Sequence, residues 1–169
     1  MALVVEDGTG LANAESYDSV AGIGVYLAAF GDTSWAAAST AAQEVAARKG
    51  TRFIDASGVE EWQGYALRPE QSLAHPRVGI VVDGYELAYA PLPARLKQAQ
   101  ALLSLAALTT DIYPNLAAGS APTESETIKV GPIEISSTFL GSASPVEVFR
   151  LAEDLLRPLK YASTRVVRA

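Results

Sequence analysis

The sequence lacks the residue types on which many catalytic and metal sites depend. It contains no cysteine, and His75 is the only histidine among its 169 residues. The absence of cysteine excludes disulfides, thiol catalysis and Cys-ligated zinc or iron–sulfur sites. A single histidine likewise excludes a His-rich metal site. We therefore expect neither a metal nor a cofactor.

Charged and aromatic residues are also sparse. Charged residues make up 19% of the chain and aromatic residues 8%, and the net charge is −6. An acidic surface repels phosphate, so we expect no broad duplex-binding face. No apolar run approaches the roughly 18 residues of a membrane span. The start, Met1 to Asp7, lacks the basic region of a signal peptide, so we expect a protein that is made in a cytoplasm and contacts no membrane.

Alanine is abundant, with 30 copies in the chain. Many alanines and few charges favour closely packed helices, some of them against a neighbouring subunit. We predict a mainly α fold: a bundle of about four helices with one or two β-hairpins and a C-terminal helix and tail. The chain shows no linker and no internal repeat, so residues 1–169 are predicted to form a single domain, with 145–169 as the helix and tail.

Apolar spacing and turn residues place the individual elements. We predict helices over 17–30 with Ser16 as N-cap, over 35–56 with a possible restart at Ser39-Thr40, from Pro93 to about Asp111, and from Ser144-Pro145 onward. Hairpins are predicted over 78–87, around Asp83-Gly84, and over 127–139, around Gly131-Pro132. On the second helix, Ala42, Val45 and Ala46 are expected to face the core, and the helix after Pro93 is expected to be central.

The sequence does not point to catalysis. His75 has no Gly-x-Ser-x-Gly motif to accompany it, and Gly8-Thr9-Gly10 lacks the context of a nucleotide-binding loop. The acidic pairs Glu60-Glu61 and Glu153-Asp154 are typical of solvated charges at the ends of elements. We therefore predict that the protein is not an enzyme.

Residues 58–77 form an irregular segment that contains Trp62. The Trp62 ring can be buried only if this segment folds over the helices, although a base-stacking or partner-facing ring is the alternative. Arg77 is predicted to hold a carbonyl or carboxylate group within the loop, or else to reach a neighbouring subunit. The residues predicted to serve loop packing or subunit contact are Trp62, Gly64, His75, Pro76 and Arg77.

Five short motifs resemble, in their order and spacing, a family of tailed-phage proteins. They are Val5-Glu6-Asp7-Gly8-Thr9-Gly10, Ala14-Glu15-Ser16-Tyr17, Phe53-Ile54-Asp55, Trp62-Gln63-Gly64 and Gln71-Ser72-Leu73-Ala74-His75-Pro76-Arg77. Many members of the family carry the label DnaT-like single-stranded-DNA-binding protein. The resemblance covers roughly residues 3–110. Glu15 stands where the family usually has Asn, and His75 stands where it usually has Trp.

In size and layout such proteins are similar to the head–tail adaptors of phages, also called connector or head-completion proteins. This resemblance implies a non-enzymatic structural protein of the virion neck, made in the cytoplasm of a bacterial host. Its expected partners are further copies of itself in a ring of about twelve, the portal protein, and the next connector or tail protein. Double-stranded DNA would pass through the lumen during packaging without specific binding.

The end of the chain is basic, in contrast to the acidic whole. After Asp154 the sequence has four basic residues and no acid. We take the C-terminal helix and tail, residues 146–169, as the surface that docks on the portal and becomes ordered on contact. The docking residues predicted here are Phe149, Leu155, Leu156, Arg157, Lys160, Tyr161, Arg165 and Arg168.

An alternative is a replication accessory protein that binds single-stranded DNA. Its contact set would be Trp62, Tyr65 and the C-terminal arginines. Binding of this kind requires a basic groove interleaved with exposed aromatic rings, which an acidic chain with few aromatics does not favour. A small enzyme is a third and more distant alternative.

Overall fold

A computed structural model describes residues 2–57, 61–110, 112, 123–130, 133–140 and 146–161. For 123–130, 133–140 and 146–149 the description is limited to the backbone. The tail beyond Tyr161 and Ser144-Pro145, where the last helix was predicted to begin, lie outside the described residues.

Helices dominate the described chain. They are α1 Val20–Ala29, α2 Ser34–Ala37, α3 Thr40–Ser57, α4 Ala94–Thr109 and α5 Val146–Leu156, followed by a 3₁₀ turn at Arg157–Leu159. The prediction of a mainly α fold with β-hairpins is confirmed. Within these residues, no helix has both the length and the apolar character that crossing a membrane requires.

Three antiparallel strand pairs accompany the helices. They are β1 Tyr65–Ala66 with β2 Arg77–Val78, β3 Val81–Val82 with β4 Tyr85–Glu86, and β5 Thr123–Val130 with β6 Ile133–Leu140. The turn between β3 and β4 lies at Asp83-Gly84, as predicted. Both residues have positive φ, at 53° and 85°. This is the conformation of a tight hairpin turn with the right-handed strand twist. The β1–β2 pair was not predicted.

Helix α4 is central, as predicted, and packs against α1, α2, α3 and α5. It approaches α3 closely at Gly50, where a Cβ atom would lie 2.7 Å from the Ser104 hydroxyl and 3.0 Å from the Ser104 nitrogen. A glycine in mid-helix costs about 1 kcal/mol in helix propensity. Here it permits two helix backbones to meet, which offsets that cost.

Two groups of apolar side chains form the core. One joins α4 to α5 and to the loops, and the other joins α1, α2 and α3 to α4. The first contains Tyr17, Ile54, Trp62, Ile80, Leu92, Leu96, Ala99, Leu103, Ala152, Leu156 and Leu159. The second contains Ile23, Leu27, Trp35, Ala46, Ala47 and Ala101. Both groups meet on α4, which explains why that helix is apolar on most sides.

The N-cap of α1 is Ser19 and not Ser16, so the predicted helix start was wrong by three residues. The Ser19 hydroxyl accepts a hydrogen bond from the Gly22 N–H at 2.9 Å. The Ser16 hydroxyl instead donates to the Asp18 carbonyl oxygen at 2.6 Å. Two serines at nearby positions both satisfy the sequence rule for a cap. Tyr17 therefore precedes the helix and packs in the core.

The restart of the second helix after Ser39 is confirmed, but part of its predicted inner face was wrong. Ala42 and Val45 are exposed, whereas Gln43 and Ala46 are buried. The Gln43 amide donates to the Trp35 carbonyl oxygen at 2.6 Å, and this hydrogen bond lets a polar side chain face the core. A prediction based on apolar residues alone places Gln43 on the solvent-exposed face of the helix.

Candidate functional site

Two irregular segments, residues 61–66 and 72–78, meet at the β1–β2 pair and are fastened together by Arg77. Its Nε donates to the Gln63 carbonyl oxygen at 2.7 Å, and Nη2 donates to the Gly64 carbonyl oxygen at 2.8 Å. Nη1 lies 3.4 Å from the Ala74 carbonyl oxygen, to which it also donates. A planar guanidinium can serve several acceptors at once, so one side chain fixes both segments.

The two segments approach each other closely at Gly64. Its φ is 65°, and a Cβ atom there would collide with the carbonyl oxygen of Val78 and lie 3.0 Å from the Val78 carbonyl carbon. Both the backbone conformation and the lack of space require glycine at this position. The Trp-x-Gly motif is therefore a packing requirement of the β1–β2 pair.

Trp62 is buried beneath the loops, with 5% of its surface exposed. Its ring packs edge-on against the His75 ring, with the centroids 4.8 Å apart, and His75 also packs edge-on against Tyr17 at 6.1 Å. A ring enclosed in this way cannot stack on a nucleotide base. Trp62 thus has to be removed from the contact set of the single-stranded-DNA alternative.

The segment after α5, residues 157–161, closes over Trp62, and we call it the C-terminal clip. The Lys160 ammonium lies 5.3 Å from the centroid of the Trp62 ring and donates to the Ser57 carbonyl oxygen at 2.9 Å and to the Glu61 carboxylate at 3.2 Å. The Tyr161 N–H donates to the Glu61 carbonyl oxygen at 2.7 Å. The clip is therefore part of the fold.

This arrangement corrects part of the predicted docking surface. Leu156 is 1% exposed and belongs to the core, so it is not available to a partner, and Leu155 is half-buried. The apolar stripe of α5 packs on α4 of the same chain. An amphipathic pattern indicates that the apolar stripe of a helix is covered, but it does not indicate whether the same chain or a partner covers it. Arg157 and Tyr161 are exposed.

The remaining docking residues keep their status as predictions. Lys160 is half-buried in the clip, where its ammonium is engaged as described above. The side chain of Phe149, and the whole of Arg165 and Arg168, lie outside the described residues. For Phe149, Arg165 and Arg168, the prediction of a portal-facing role therefore rests on the sequence alone.

Tyr17, Asp55 and His75 form a hydrogen-bonded group of polar residues next to Trp62. The Tyr17 hydroxyl donates to the Asp55 carboxylate and accepts from the His75 backbone N–H at 3.3 Å. Burial raises the pKa of Asp55 to about 6 and also raises the pKa of the Tyr17 hydroxyl. Burial lowers the pKa of the His75 imidazole to about 3, with the Arg77 charge as a smaller cause. His75 is therefore neutral at physiological pH.

The geometry around His75 is that of a packed ring. Neither ring nitrogen has a hydrogen-bond partner among the described residues, and the ring lies between Tyr17 and Trp62. A nucleophile–base pair requires a hydrogen bond to a hydroxyl or thiol group, which the described residues do not supply. Across the described ranges, no group of three or more acidic or histidine side chains could hold a metal ion.

Several surface cations are paired with acids. Arg48 binds Glu15 at 2.9 Å and Glu44 at 3.6 Å, and Lys97 lies 3.7 Å from Asp18. Further pairs join Lys160 to Glu61 and Arg157 to Asp154. An adjacent carboxylate reduces the attraction of a cation for phosphate. These pairs do not form the continuous basic groove that tracks a single strand.

The side of α1 that faces solvent is apolar. Ala21, Val25, Ala28 and Ala29 are exposed, and Phe30 follows with 74% of its surface exposed. The helix has no charged residue in its ten positions. An exposed apolar helix face typically marks a surface that another protein covers. The sequence signal for this exposed face is the absence of charged residues from α1. The same absence is equally typical of a buried helix.

Arg77 provides a test of this site. We expect Arg77→Lys to lower the free energy of unfolding by about 2 kcal/mol, because an ammonium cannot reproduce the planar fork and leaves at least one of the three carbonyl acceptors of Arg77 unpaired. Urea denaturation at pH 7 measures the effect. Arg95→Lys, at an exposed position of α4, is the control and should remain within about 0.5 kcal/mol of wild type. Equal stabilities for the two variants would contradict the fastening role of Arg77.

Together, the fold and the site define a small mainly α protein whose motif residues hold loops in place and, in the described part, assemble no catalytic group. The chain matches over residues 1–169 the family described as "Putative DnaT-like ssDNA binding protein". It belongs to that family. Comparison with the curated proteins and with the solved structures found no match.

Proposed function

We propose that the protein is a structural head–tail adaptor of a tailed bacteriophage. Copies of the chain would form a ring between portal and tail in the virion neck, and DNA would pass through the lumen without being held. The observation that carries this proposal is the apolar outer side of α1 with Val25 and Phe30 exposed. Water-exposed apolar surface of this kind is suited to contact between proteins.

The charge distribution supports the same proposal. The chain carries a net charge of −6, and the ion pairs described above engage several of its cations. An acidic lumen repels the phosphates of passing DNA and so lets the duplex slide. A head-to-tail contact between identical subunits generates a closed ring when its rotation closes.

The family description favours a second candidate function, the binding of single-stranded DNA. Two exposed rings could stack on bases: Tyr65 is 66% exposed and Tyr161 is 62% exposed. The Tyr161 hydroxyl accepts from the Gly64 N–H at 3.3 Å, so these rings belong to one region of the surface. In this candidate, Arg165 and Arg168 would supply the charge for the phosphates.

Two measurements separate the candidates. Titration with fluorescent oligothymidine should give no binding at micromolar protein if the protein is an adaptor. Submicromolar binding that weakens steeply between 50 and 200 mM salt would instead establish the single-strand binder, since phosphate contacts release counterions. Electron microscopy of the purified chain, alone and mixed with the portal protein of the same phage, should show annular particles. Their absence in both samples would overturn the adaptor proposal.

Two C-terminal truncations distinguish the proposed docking role of the tail from the structural role of the C-terminal clip. Removal of residues 162–169 is expected to leave thermal stability unchanged but to abolish capture of the protein by immobilised portal. Removal of residues 160–169 should also destabilise the protein by about 2 kcal/mol, because it deletes the Lys160 contact with Trp62 and the hydrogen bond of the Tyr161 N–H. Calorimetry and a pull-down assay measure the two effects. Portal capture that persists without residues 162–169 would refute the docking role of the tail.

A further inference from the structure

The hairpin β5–β6 has two faces of different character. Its register runs from the pair Thr123–Leu140 to the pair Val130–Ile133, and neighbouring positions of a strand belong to opposite faces. One face is polar at every position except Leu140. The opposite face contains five apolar residues, which are Ile128, Val130, Ile133, Ile135 and Phe139. The hairpin is therefore amphipathic.

The hairpin packs only on itself in the described part of the chain. Its two strands form a separate sheet, and neither strand packs on a helix among the described elements. Isolated two-stranded hairpins are only marginally stable in water. A hairpin with strands of eight residues and one apolar face therefore needs a surface that covers this face.

The charges on the apolar face are confined to one half of it. Glu124 and Glu126 belong to this half, where the register pairs them with Phe139 and Ser137. The other half, which we call the aliphatic end, consists of the pairs Ile128–Ile135 and Val130–Ile133. At about 3.4 Å per residue, the aliphatic end occupies about 10 Å along the strands.

The outer side of α1 is a second apolar surface without a cover. Val25 is 73% exposed and Phe30 is 74% exposed, so the hairpin does not cover them in its own chain. The ten residues of α1 extend about 15 Å, which is longer than the aliphatic end. The aliphatic end can therefore lie on α1 while Glu124 and Glu126 remain beyond the end of the helix. Since neither α1 nor the aliphatic end is charged, contact between them desolvates no charge.

We propose that the aliphatic end of the β5–β6 hairpin of one copy docks on the outer side of α1 of the next copy. This inference deepens the proposed adaptor function and rests on the self-assembly which that function requires. Each copy has both surfaces, and the two surfaces differ. The contact is therefore head-to-tail, and a ring follows when the rotation closes.

The size of the contact determines how the copies associate. The two surfaces bury on the order of 800 Å² together, which is below the roughly 1,200 Å² of a stable pair of proteins. One such contact is weak, whereas in a closed ring each copy is held by two of them. We therefore expect assembly at several hundred micromolar protein or on the portal, and little association of isolated pairs at micromolar protein.

The chain has no cysteine, so engineered disulfides report on this contact without background. One set of variants carries Val25→Cys or Ala28→Cys on α1, and the other carries Ile133→Cys or Ile135→Cys on the aliphatic end. A disulfide requires the two Cα atoms to approach within about 7 Å. The two sets are given tags of different length, mixed at several hundred micromolar and oxidised mildly. Non-reducing gels then measure the rate at which the mixed dimer forms.

Two cysteine variants are matched controls for the hairpin and for the helix. Ser136→Cys is next to Ile135 on β6 but belongs to the polar face. Tyr85→Cys replaces a residue that is 77% exposed, similar to Val25, on a different element. At least one α1–hairpin combination should cross-link roughly tenfold faster than the combinations that contain a control, because docking raises the local concentration of the two thiols. Circular dichroism establishes that every variant is folded.

The products distinguish the possible occupants of α1. A chain with both Val25→Cys and Ile135→Cys should give a ladder of oligomers, because each copy is linked to the next. An intrachain disulfide, faster linkage between two hairpins, or equal rates for the controls would overturn the hairpin contact, even where sedimentation shows that wild type assembles. A wild-type chain that remains monomeric at several hundred micromolar, with or without the portal protein, would overturn both the contact and the adaptor function.

Discussion

Replacing Gly64 by alanine is expected to destabilise the protein by about 4 kcal/mol, among the largest effects of any single substitution in the chain. A left-handed conformation costs a residue with a side chain about 1 kcal/mol or more. The larger part of the effect comes from the collision of the new Cβ atom with the Val78 carbonyl oxygen. That collision forces β1 away from β2 and with it separates Gln63 from Arg77.

Gly31 provides a matched control for this experiment. Its φ is 81°, similar to that of Gly64, but a Cβ atom there would meet nothing within 4 Å. Gly31→Ala should therefore show only the conformational cost, about 1 kcal/mol. Chemical denaturation at pH 7 measures both variants, and fluorescence reports on whether Trp62 becomes exposed. If Gly64→Ala costs no more than Gly31→Ala, the close packing of the loops is contradicted.

The helices and the β3–β4 hairpin could be predicted because their signals are local. Apolar spacing predicted α4, and Asp83-Gly84 predicted a two-residue hairpin turn, because both residues tolerate a positive φ. The β5–β6 hairpin was predicted over 127–139, but its strands begin and end further from the turn, at Thr123 and Leu140. Alternating polar residues at strand ends carry too weak a signal to place those limits.

The site itself depends on contacts between distant parts of the chain, which no local pattern contains. Arg77 reaches the Gln63 carbonyl oxygen, and Lys160 reaches the carbonyl oxygen of Ser57, which lies 103 residues earlier in the chain. The motif Trp62-Gln63-Gly64 indicated that the loop is important but not that Trp62 is enclosed by the end of the chain. The burial of Leu156 was missed for the same reason, since its covering helix is α4.

Opposing pH dependences are expected from Asp55 and His75, which lie on either side of the Tyr17 hydroxyl. The pKa of Asp55 is raised from 3.8 to about 6 in the folded protein. Its favourable contribution is therefore complete below pH 3.8 and is lost as the pH rises through 6, a change of about 3 kcal/mol. The pKa of His75 is lowered from 6.5 to about 3. Its contribution is complete above pH 6.5 and is lost as the pH falls toward 3.

Asp55→Asn isolates the first of these contributions. The amide can still accept the Tyr17 hydrogen bond but carries no charge to desolvate. We expect the variant to be about 2 to 3 kcal/mol more stable than wild type at pH 7, an advantage that disappears as the pH falls toward 4. Urea denaturation at half-unit steps between pH 4 and 7 measures the difference. Asp32→Asn is the control, because hydrogen bonds from Trp35 and Ser34 lower the pKa of the Asp32 carboxyl and reverse the expected sign.

His75→Trp isolates the second contribution and introduces the residue that the resemblance places before Pro-Arg. Between pH 3.8 and 6 the two groups act with opposite slopes of about 1.4 kcal/mol per pH unit, so their effects cancel in the wild-type chain. Removal of the histidine should leave the Asp55 slope exposed, and the stability of the variant relative to wild type should rise by about 3 kcal/mol from pH 6 to 4. A constant packing difference between the two rings shifts the whole curve without changing this slope. Parallel curves for wild type and His75→Trp would therefore mean that His75 is solvated and that the Tyr17–Trp62 enclosure is open.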